Sequence, residues 1–201
     1  QLDARNDLTT EEKEAAKADA QARATAAKNN IDTATTNSTV DNAKTTGVAD
    51  VESVNPQASQ KKTDAKNAVD EALKAKEAAI DANNDLTAEE KAKAKEDAKA
   101  KADAAKTAID NATTNDAVTQ AKNDGATSVD SVTPTPVAKP AAKQAIDDAL
   151  KAKNDAIDAN NDLTAEEKAK AKEDAKAKAD AAKQAIDNAT TNDAVTQAKN
   201  D

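Results

Sequence analysis

The chain has 201 residues, of which 33% are charged, and it carries a net charge of −9 at pH 7. It contains no Phe, Trp, Tyr, Cys, Met or His, which excludes thiolate nucleophiles, imidazole bases, disulfides, the usual zinc, haem and iron–sulfur sites, and aromatic platforms for bases or sugars. The acidic charge argues against nucleic acid and anionic membranes as partners. We therefore predict no catalytic residues, no cofactor and no metal site.

Alanine dominates the apolar residues, with 53 Ala against 22 Leu, Ile and Val in total. So few large aliphatics, together with a substantial net charge, are typical of disordered chains. However, Ala, Lys and Glu are strong helix formers, so we predict a folded helical chain of modest stability, with a disordered coil as the alternative. No apolar run approaches the ~20 residues that span a bilayer. The chain begins at Gln1 without a signal peptide, and we expect it to be a piece of a longer protein.

The sequence repeats internally with a period of 77 to 78 residues. Residues 7–9 (Asp-Leu-Thr) recur at 85–87 and at 162–164, and residues 79–124 match residues 156–201 at 45 of 46 positions. We predict three units: 1–56 is the C-terminal part of a first repeat, 57–134 is a complete second repeat, and 135–201 is a third repeat without its C-terminal linker.

Each unit is predicted to hold two long helices, A and B. In the second repeat helix A covers about 60–83, and its later copy covers about 140–160, with Pro140 in the first turn, where its missing N–H costs little. A polar turn at 83–85 follows helix A. Thr87 and Glu90 then form a capping box that starts helix B, because each side chain can satisfy a free backbone N–H. Helix B is predicted to run from about 88 to 111.

A shorter helix C follows the turn at 112–115, and Thr114 or Asn115 is predicted to cap its start. We expect this helix to reach about residue 123, with Gly125 as a left-handed C-terminal cap. Val129 and Val132 come next. The linker then contains Pro134, Pro136 and Pro140, a composition that favours an extended, semi-rigid connection.

The predicted helix contacts consist mainly of alanine, because small residues recur every three or four positions along helices A and B. Such a stripe lets two helix axes approach closely. The predicted fold class is all-α: tandem alanine-rich three-helix bundles (long A, long B, short C) joined by Pro-containing linkers into an elongated rod. The predicted contact residues are Ala98, Ala102, Ala105, Ile109 and Ala112 on helix B, their first-copy counterparts Ala20, Ala24, Ala27, Ile31 and Ala34, Ala65, Val69, Leu73 and Ile80 on helix A, Leu8, Leu86 and Leu163 at the A–B turn, and Val40, Val118 and Val195 on helix C.

Asp81, Asn83 and Asp85 follow the opening of a calcium-binding loop, with Glu89 at its ninth position. However, the sixth and twelfth positions hold Leu and Ala, where Gly and a bidentate Glu are required, so a polar turn between helices is the favoured interpretation.

Three further patterns have an ordinary structural interpretation that we favour. Asn-X-Thr sequons at residues 37, 111 and 188 are better explained as turns at helix ends. The lysines of residues 91–101 alternate with acids, as in the i,i+4 pair Glu89–Lys93, and indicate a solvated face. Asp147 and Asp148 would need a pocket that shifts a pKa before they could act as an acid–base pair.

The order and spacing of several motifs resemble the DUF1542 (domain of unknown function) repeats of large Gram-positive surface proteins. The resemblance rests on residues 79–91 and 109–115, on Ala121-Lys122 and on Gly125, and it covers nearly the whole chain. It implies an extracellular, cell-wall-anchored stalk or adhesin region and supplies no catalytic residues. The second linker has more proline than is typical of the family.

Three helices in a unit would place its entry and exit at opposite ends, since a helix of about 22 residues is roughly 33 Å long. We therefore predict a non-catalytic, monomeric spacer that holds a distal adhesive domain away from the cell wall, without membrane insertion, and with any host or matrix partner bound by other regions. One alternative is a helical adhesin module, but interfaces usually need aromatic or Arg anchors and only Arg5 and Arg23 are present. The other alternative is a hydration-protectant or lipid-surface helix that is disordered alone.

Overall fold

The computed structural model describes residues 1–200, and within this range every regular element is helical. A single 3-10 turn at Leu2–Ala4 precedes the first long helix. The α-helices are α1 (Thr10–Asp32), α2 (Asn37–Glu52), α3 (Gln60–Ala82), α4 (Ala88–Asn111), α5 (Asn115–Asp130), α6 (Ala138–Ala159), α7 (Ala165–Asn188) and α8 (Asn192–Asn200). The all-α prediction is confirmed.

The predicted helix A and helix B agree with α3 and α4 to within one residue. Helix α6 begins at Ala138, which places Pro140 in its first turn as predicted. The capping box is also confirmed, because the Thr87 amide donates to Glu90 Oε2 at 3.0 Å and the Glu90 amide donates to Thr87 Oγ1 at 3.4 Å. Thr114 accepts from the amide of Ala117 and so caps α5.

The predicted end of helix C is wrong. Helix α5 continues to Asp130, so Gly125 lies inside it, and within residues 1–200 no glycine has a positive φ. Position 125 requires a glycine because the neighbouring helix is so close: a Cβ at Gly125 would lie 2.3 Å from the Cβ of Ala105. Gly47 of α2 is placed in the same way, with its added Cβ 2.4 Å from the Cβ of Ala27. These glycines allow close helix approach and do not end the helix.

The chain divides into two compact units, residues 1–72 with 101–128, and residues 73–100 with residue 129 onward. In the first unit α1 packs on α2, and in the second α6, α7 and α8 contact one another pairwise. The predicted alanine stripe of helix B is confirmed, as its four members on α4 and Ala112, directly after α4, are all buried. Val118 and Val195, the predicted anchors of helix C in the second and third repeats, are also buried.

The stripe of the first copy is only half-buried. Ala24, Ala27 and Ile31 of α1 are partly exposed, whereas their counterparts 78 positions later are buried. In the first unit α1 packs against α2 and the 3-10 turn, whereas α4 is joined to α3 at the equivalent place by the pair of Lys106 and Asp70.

Helices A and B are also joined by ion pairs that recur from repeat to repeat. Lys106 binds Asp70 at 2.8 Å, and Lys183 binds Asp147 at the equivalent place. Most of these pairs are substantially exposed, so each contributes little to stability, about 0–1 kcal/mol, but their recurrence shows that helices A and B are aligned in the same way in each copy. The remaining pairs of this kind are Lys66–Asp110 and Lys143–Asp187 near one end of the helices, and Lys17–Asp3, Lys95–Asp81 and Lys172–Asp158 near the other.

Candidate functional site: the junctions between repeats

The start of helix B has a different environment in the three copies. Thr9 and Thr87 are 0% exposed, whereas Thr164 is exposed. All three threonines cap their own helix with the same capping box, so the local structure does not explain the difference. The first two lie against the next repeat: Thr9 Oγ1 donates to Asn115 Oδ1 at 3.0 Å, and the amide that follows Thr87 donates to the carbonyl of Thr190 at 2.7 Å. The N-terminus of helix B is therefore a contact surface between consecutive repeats.

A main-chain hydrogen bond connects helix B of one repeat to the B–C turn of the next. The amide of Thr10 donates to the carbonyl of Thr113 at 2.8 Å, and the amide of Ala88 donates to the carbonyl of Thr190 at 2.7 Å. The first-turn amides of a helix lack an intrahelical partner. The neighbouring repeat thus satisfies a donor that would otherwise need water, and a main-chain bond of this kind is independent of side-chain identity.

A glutamate in the first turn of helix B strengthens the same contact. The Glu11 carboxylate accepts from the amide of Asn115 at 3.1 and 3.2 Å, and the Glu89 carboxylate accepts from the amide of Asn192 at 3.0 Å. Both amides belong to the first residue of a helix C, where the helix dipole favours a negative charge. Each glutamate therefore acts as a charged N-terminal cap for a helix of the following repeat.

A buried lysine from the start of helix A completes each junction. Lys62 is 5% exposed and Lys139 is 4% exposed. Lys62 Nζ donates to the carbonyls of Asn6 at 3.3 Å and Asp110 at 2.8 Å. Lys139 Nζ donates to the carbonyls of Asn84 at 2.8 Å and Asp187 at 2.7 Å. One acceptor lies in the A–B turn of the preceding repeat and the other lies in the last turn of helix B of the same repeat, so each ammonium group links two repeats.

The two junctions differ in how helix A is capped. At the first junction Ser59 caps α3, because its hydroxyl oxygen accepts from the amide of Lys62. The same hydroxyl donates to Glu12 Oε1 at 2.9 Å. At the second, the N-cap residue of α6 is Val137, which offers no side-chain acceptor. Glu90 of the preceding repeat takes this role by accepting from the amides of residues 137 and 138 at 2.9 and 3.0 Å. The second junction therefore depends more on the preceding repeat.

The pKa of Glu90 is lowered from its ordinary value of 4.5, as burial, which raises it, is outweighed by hydrogen bonds from the amides of Thr87, Ala138 and Val137. A carboxylate with a lowered folded-state pKa stabilises the fold fully above its unfolded pKa, and this stabilisation is lost as pH falls through the folded pKa.

We expect the second junction to weaken below about pH 4.5. The amide chemical shifts of Val137 and Ala138 should titrate with a midpoint below 4.5 and lose this titration in Glu90→Gln. A midpoint at or above 4.5 would contradict the conclusion that these hydrogen bonds lower the pKa of Glu90.

Glu90 and Glu167 form a matched pair for measuring the contact between repeats. Both complete a capping box, but only Glu90 also accepts from the next repeat. We expect Glu90→Ala to lower the free energy of unfolding by about 1 kcal/mol and Glu167→Ala to lower it less. Urea denaturation of the full chain measures both. Equal losses would show that the bonds from Glu90 to α6 contribute no net stability.

Apart from Glu89, the other residues singled out from the sequence have no part in the junction contacts described above. Asp81 pairs with Lys95 at 2.7 Å, and Asn83 Oδ1 accepts from the amide of Asp85 at 3.0 Å, so the calcium-like pattern forms a polar turn. The predicted pair Glu89–Lys93 is wrong, since Lys93 pairs with Asp97 at 3.5 Å and Glu89 binds the next repeat. Asn37, Asn111 and Asn188 are the first or last residues of helices. Within residues 1–200 no group of acidic side chains is arranged to hold a metal ion.

Sequence reasoning missed the junction residues. Lys62 and Lys139 were indistinguishable from the many surface lysines, Glu89 was assigned to a local pair with Lys93, and nothing distinguished Glu11. One signal was present: Lys62 and Lys139 are one repeat apart and each follows a proline-containing linker. That signal marks equivalent positions, but it does not show which of them are buried against a neighbour.

The recurrence of the same junction within one chain marks a tandem-repeat protein. The family described as Domain of Unknown Function (DUF1542) matches residues 1–59, 61–137 and 138–201. The chain belongs to the DUF1542 family. The resemblance found from the sequence is thereby confirmed, and nearly every residue lies in one of three consecutive DUF1542 matches.

Individual relatives of this DUF1542 chain come from Staphylococcus aureus. It is 32% identical over 195 residues to Extracellular matrix-binding protein EbhA of strain Newman and to Extracellular matrix-binding protein ebh of strain NCTC 8325 / PS 47. These alignments cover 96% of this chain but only 6% and 2% of the two relatives. No solved structure matches the chain. No helix within residues 1–200 has the length and hydrophobicity needed to cross a membrane.

Proposed function

We propose that this chain is a non-catalytic spacer segment of a bacterial cell-surface protein, anchored to the cell wall and holding a distal adhesive domain away from it. In this proposal residues 1–56, 57–134 and 135–201 belong to successive repeats. Each complete repeat is a three-helix bundle, and the repeats stack end to end into an elongated rod. The supporting observation is the junction, in which the A–B turn of one repeat meets the B–C turn of the next.

The two surfaces used at a junction belong to opposite ends of a repeat. Helices A and B form a hairpin, so the A–B turn lies at one end and the end of helix B lies at the other. A contact between unlike ends is heterologous, and repeated heterologous contacts produce an open assembly that grows with copy number. Near-identical copies suit this role, because adding one changes the reach and leaves the chemistry unchanged.

The arginines give a second argument for a passive segment. Arg5 binds Asp7 at 2.6 Å and the carbonyl of Pro56 at 3.1 Å. Arg23 binds Asp19 at 3.2 Å and Ser53 Oγ at 3.1 Å. Binding interfaces depend on aromatic or Arg anchors, and the chain has no aromatic residue and only these two arginines. Both arginines already have partners in the chain, which favours a spacer over an adhesive surface.

The second candidate function is an adhesive module, and the names of the relatives favour it. Both Staphylococcus aureus proteins are called extracellular matrix-binding proteins, and this also supports an extracellular location for the present chain. The immobilised chain should fail to retain matrix proteins at sub-micromolar affinity if it is a spacer. Saturable retention of one matrix protein by this chain would favour the adhesive module.

Small-angle X-ray scattering of chains with two, three and four repeats tests the spacer directly. We expect the maximum dimension to rise by roughly 35–50 Å for each added repeat, the length given by helix rise. Lys139→Met, which weakens one junction, serves as a control, because it should broaden the distance distribution without changing the mass. A dimension that grows only with the cube root of mass would show a compact particle and contradict the proposal.

A further inference from the structure

The second linker between repeats, residues 131–137, combines one serine and two threonines with two prolines. It lies between α5 and α6, outside any helix. Both of its ends are held in place, because Val132 is buried and the amide of Val137 donates to Glu90 Oε1 at 2.9 Å. Between these fixed ends the side chain of Thr135 is exposed to solvent.

Proline on each side of Thr135 holds this part of the linker extended. Because the ring of Pro136 clashes with a helical conformation of the residue before it, the backbone of Thr135 is directed to the extended region. Pro134 acts on its other neighbour, Thr133, in the same way. Extended segments are the form in which many recognition clefts bind a peptide. Thr135 is therefore presented as an enzyme that modifies side chains would bind it.

The hydroxyl of Thr135 is available for reaction, because it makes no hydrogen bond to any part of the chain that the structure describes. Threonines inside the helices commonly donate to the carbonyl four residues earlier, as Thr107 does at 3.0 Å. Thr133 of the same linker donates to the carbonyl of Ser131 at 3.3 Å. Exposure, an extended backbone and an unbonded hydroxyl thus coincide at Thr135.

The first linker, residues 53–59, offers no equivalent hydroxyl. It contains no threonine, and both of its serines have partners. The Ser53 hydroxyl donates to the carbonyl of Asp50 at 2.7 Å, and the buried Ser59 hydroxyl donates to Glu12 Oε1 at 2.9 Å. The available hydroxyl is therefore a property of the second linker and not of linkers between these repeats in general.

We propose that Thr135 is an O-glycosylation site, at which a separate transferase attaches a sugar from a nucleotide-activated donor. Segments that combine Ser or Thr with Pro are typical carriers of O-linked sugars. In the transfer, the Thr135 oxygen forms a bond to the anomeric carbon of the sugar, and the bond from that carbon to the nucleoside diphosphate breaks. The hydroxyl proton passes to a base of the transferase, so this chain supplies only the acceptor.

A sugar is favoured over a phosphate as the group attached to Thr135. A phosphate would add about −1.5 to −2 charges at pH 7 to a chain whose net charge is already −9, and the Glu90 carboxylate is bound only two residues further along the linker. A neutral sugar avoids this repulsion. It would also cover an exposed linker, the kind of segment that proteases commonly cut, and this protection goes beyond the spacer function.

The test compares the wild-type chain with variants, each produced in and recovered from the bacterium that encodes it. Trypsin should release residues 123–143 as one peptide, because it cuts after Lys122 and Lys143 and the proline that follows Lys139 blocks cleavage there. We expect mass spectrometry with electron-transfer fragmentation to find whole-monosaccharide increments at Thr135. Thr135→Ala should lose the sugar completely.

Thr127→Ala is the matched control, because Thr127 is an exposed threonine in the same peptide but lies within α5. This variant should keep the sugar at Thr135, and circular dichroism verifies that the helices of each variant are intact. The proposal is overturned if the wild-type peptide carries no sugar, if it carries a phosphate, or if the sugar persists in Thr135→Ala. Scattering of the unmodified chain tests the spacer separately, so the two results are distinguishable.

Discussion

Gly125→Ala should destabilise the chain by about 2 kcal/mol, although alanine is a better helix former than glycine by about 1 kcal/mol. The added methyl group would lie 2.3 Å from the Cβ of Ala105 and 3.5 Å from Val69. Relief requires the two helices to separate, and overpacking of this kind costs about 1–3 kcal/mol. Urea denaturation followed by circular dichroism at 222 nm, a standard helix signal, measures the change.

The rescue experiment is Ala105→Gly in the Gly125→Ala background. It moves the methyl group from one helix to the other, and we expect most of the lost stability to return. Thr127→Ala, at an exposed position of the same helix, controls for helix propensity and should be neutral or slightly stabilising. If Gly125→Ala stabilises the chain, the close helix contact does not exist. If Ala105→Gly fails to rescue, the contact between residues 105 and 125 is not the source of the cost.

Lys139→Met should lower the free energy of unfolding by about 2–4 kcal/mol. Methionine fills a similar volume but cannot donate to the carbonyls of Asn84 and Asp187, which Lys139 Nζ binds at 2.8 and 2.7 Å. A buried acceptor left without a partner costs about 1–3 kcal/mol. The lysine charge at the C-terminal end of helix B adds a favourable interaction with the helix dipole that methionine also lacks.

Lys143→Met is the matched control for Lys139→Met. Lys143 lies one helical turn later and pairs with the carboxylate of Asp187 at 2.5 Å, with 37% of its side chain exposed. Exposed pairs contribute about 0–1 kcal/mol, so the control should change stability little. Denaturant unfolding and amide hydrogen exchange near residues 84 and 187 measure both variants. Equal effects of the two substitutions would contradict a special role for the buried ammonium group.

Helix limits were largely predictable from the sequence, because the signals that set them are local. The capping box of Thr87 and Glu90 depends on a three-residue spacing, and Pro140 fits the first turn of a helix for a reason independent of tertiary structure. The role predicted for Gly125 was wrong because a glycine can be required for two different reasons, a left-handed backbone conformation or the close approach of two helices. Only the position of Ala105 on a neighbouring helix distinguishes them.

The junctions could not be predicted, because their partners are distant in sequence. Glu89 lies four residues before Lys93, and the i,i+4 rule favours that pair, yet its carboxylate binds Asn192, which is 103 residues away. Lys62 and Lys139 were equally hidden, since a lysine at the start of a helix is ordinarily solvated. The repeat period identified equivalent positions but carried no information about what each position touches.

By itself, the sequence determined that this chain is helical, repeated and without Cys, His and aromatic side chains. These properties depend on composition and on spacing within one helix, where propensity, capping and periodicity act over a few residues. The tertiary structure alone decided which threonine, glutamate and lysine side chains leave the solvent to join consecutive repeats. Burial depends on the position of a second surface, and a buried ammonium group remains stable only where two carbonyl oxygens from different parts of the chain converge on it.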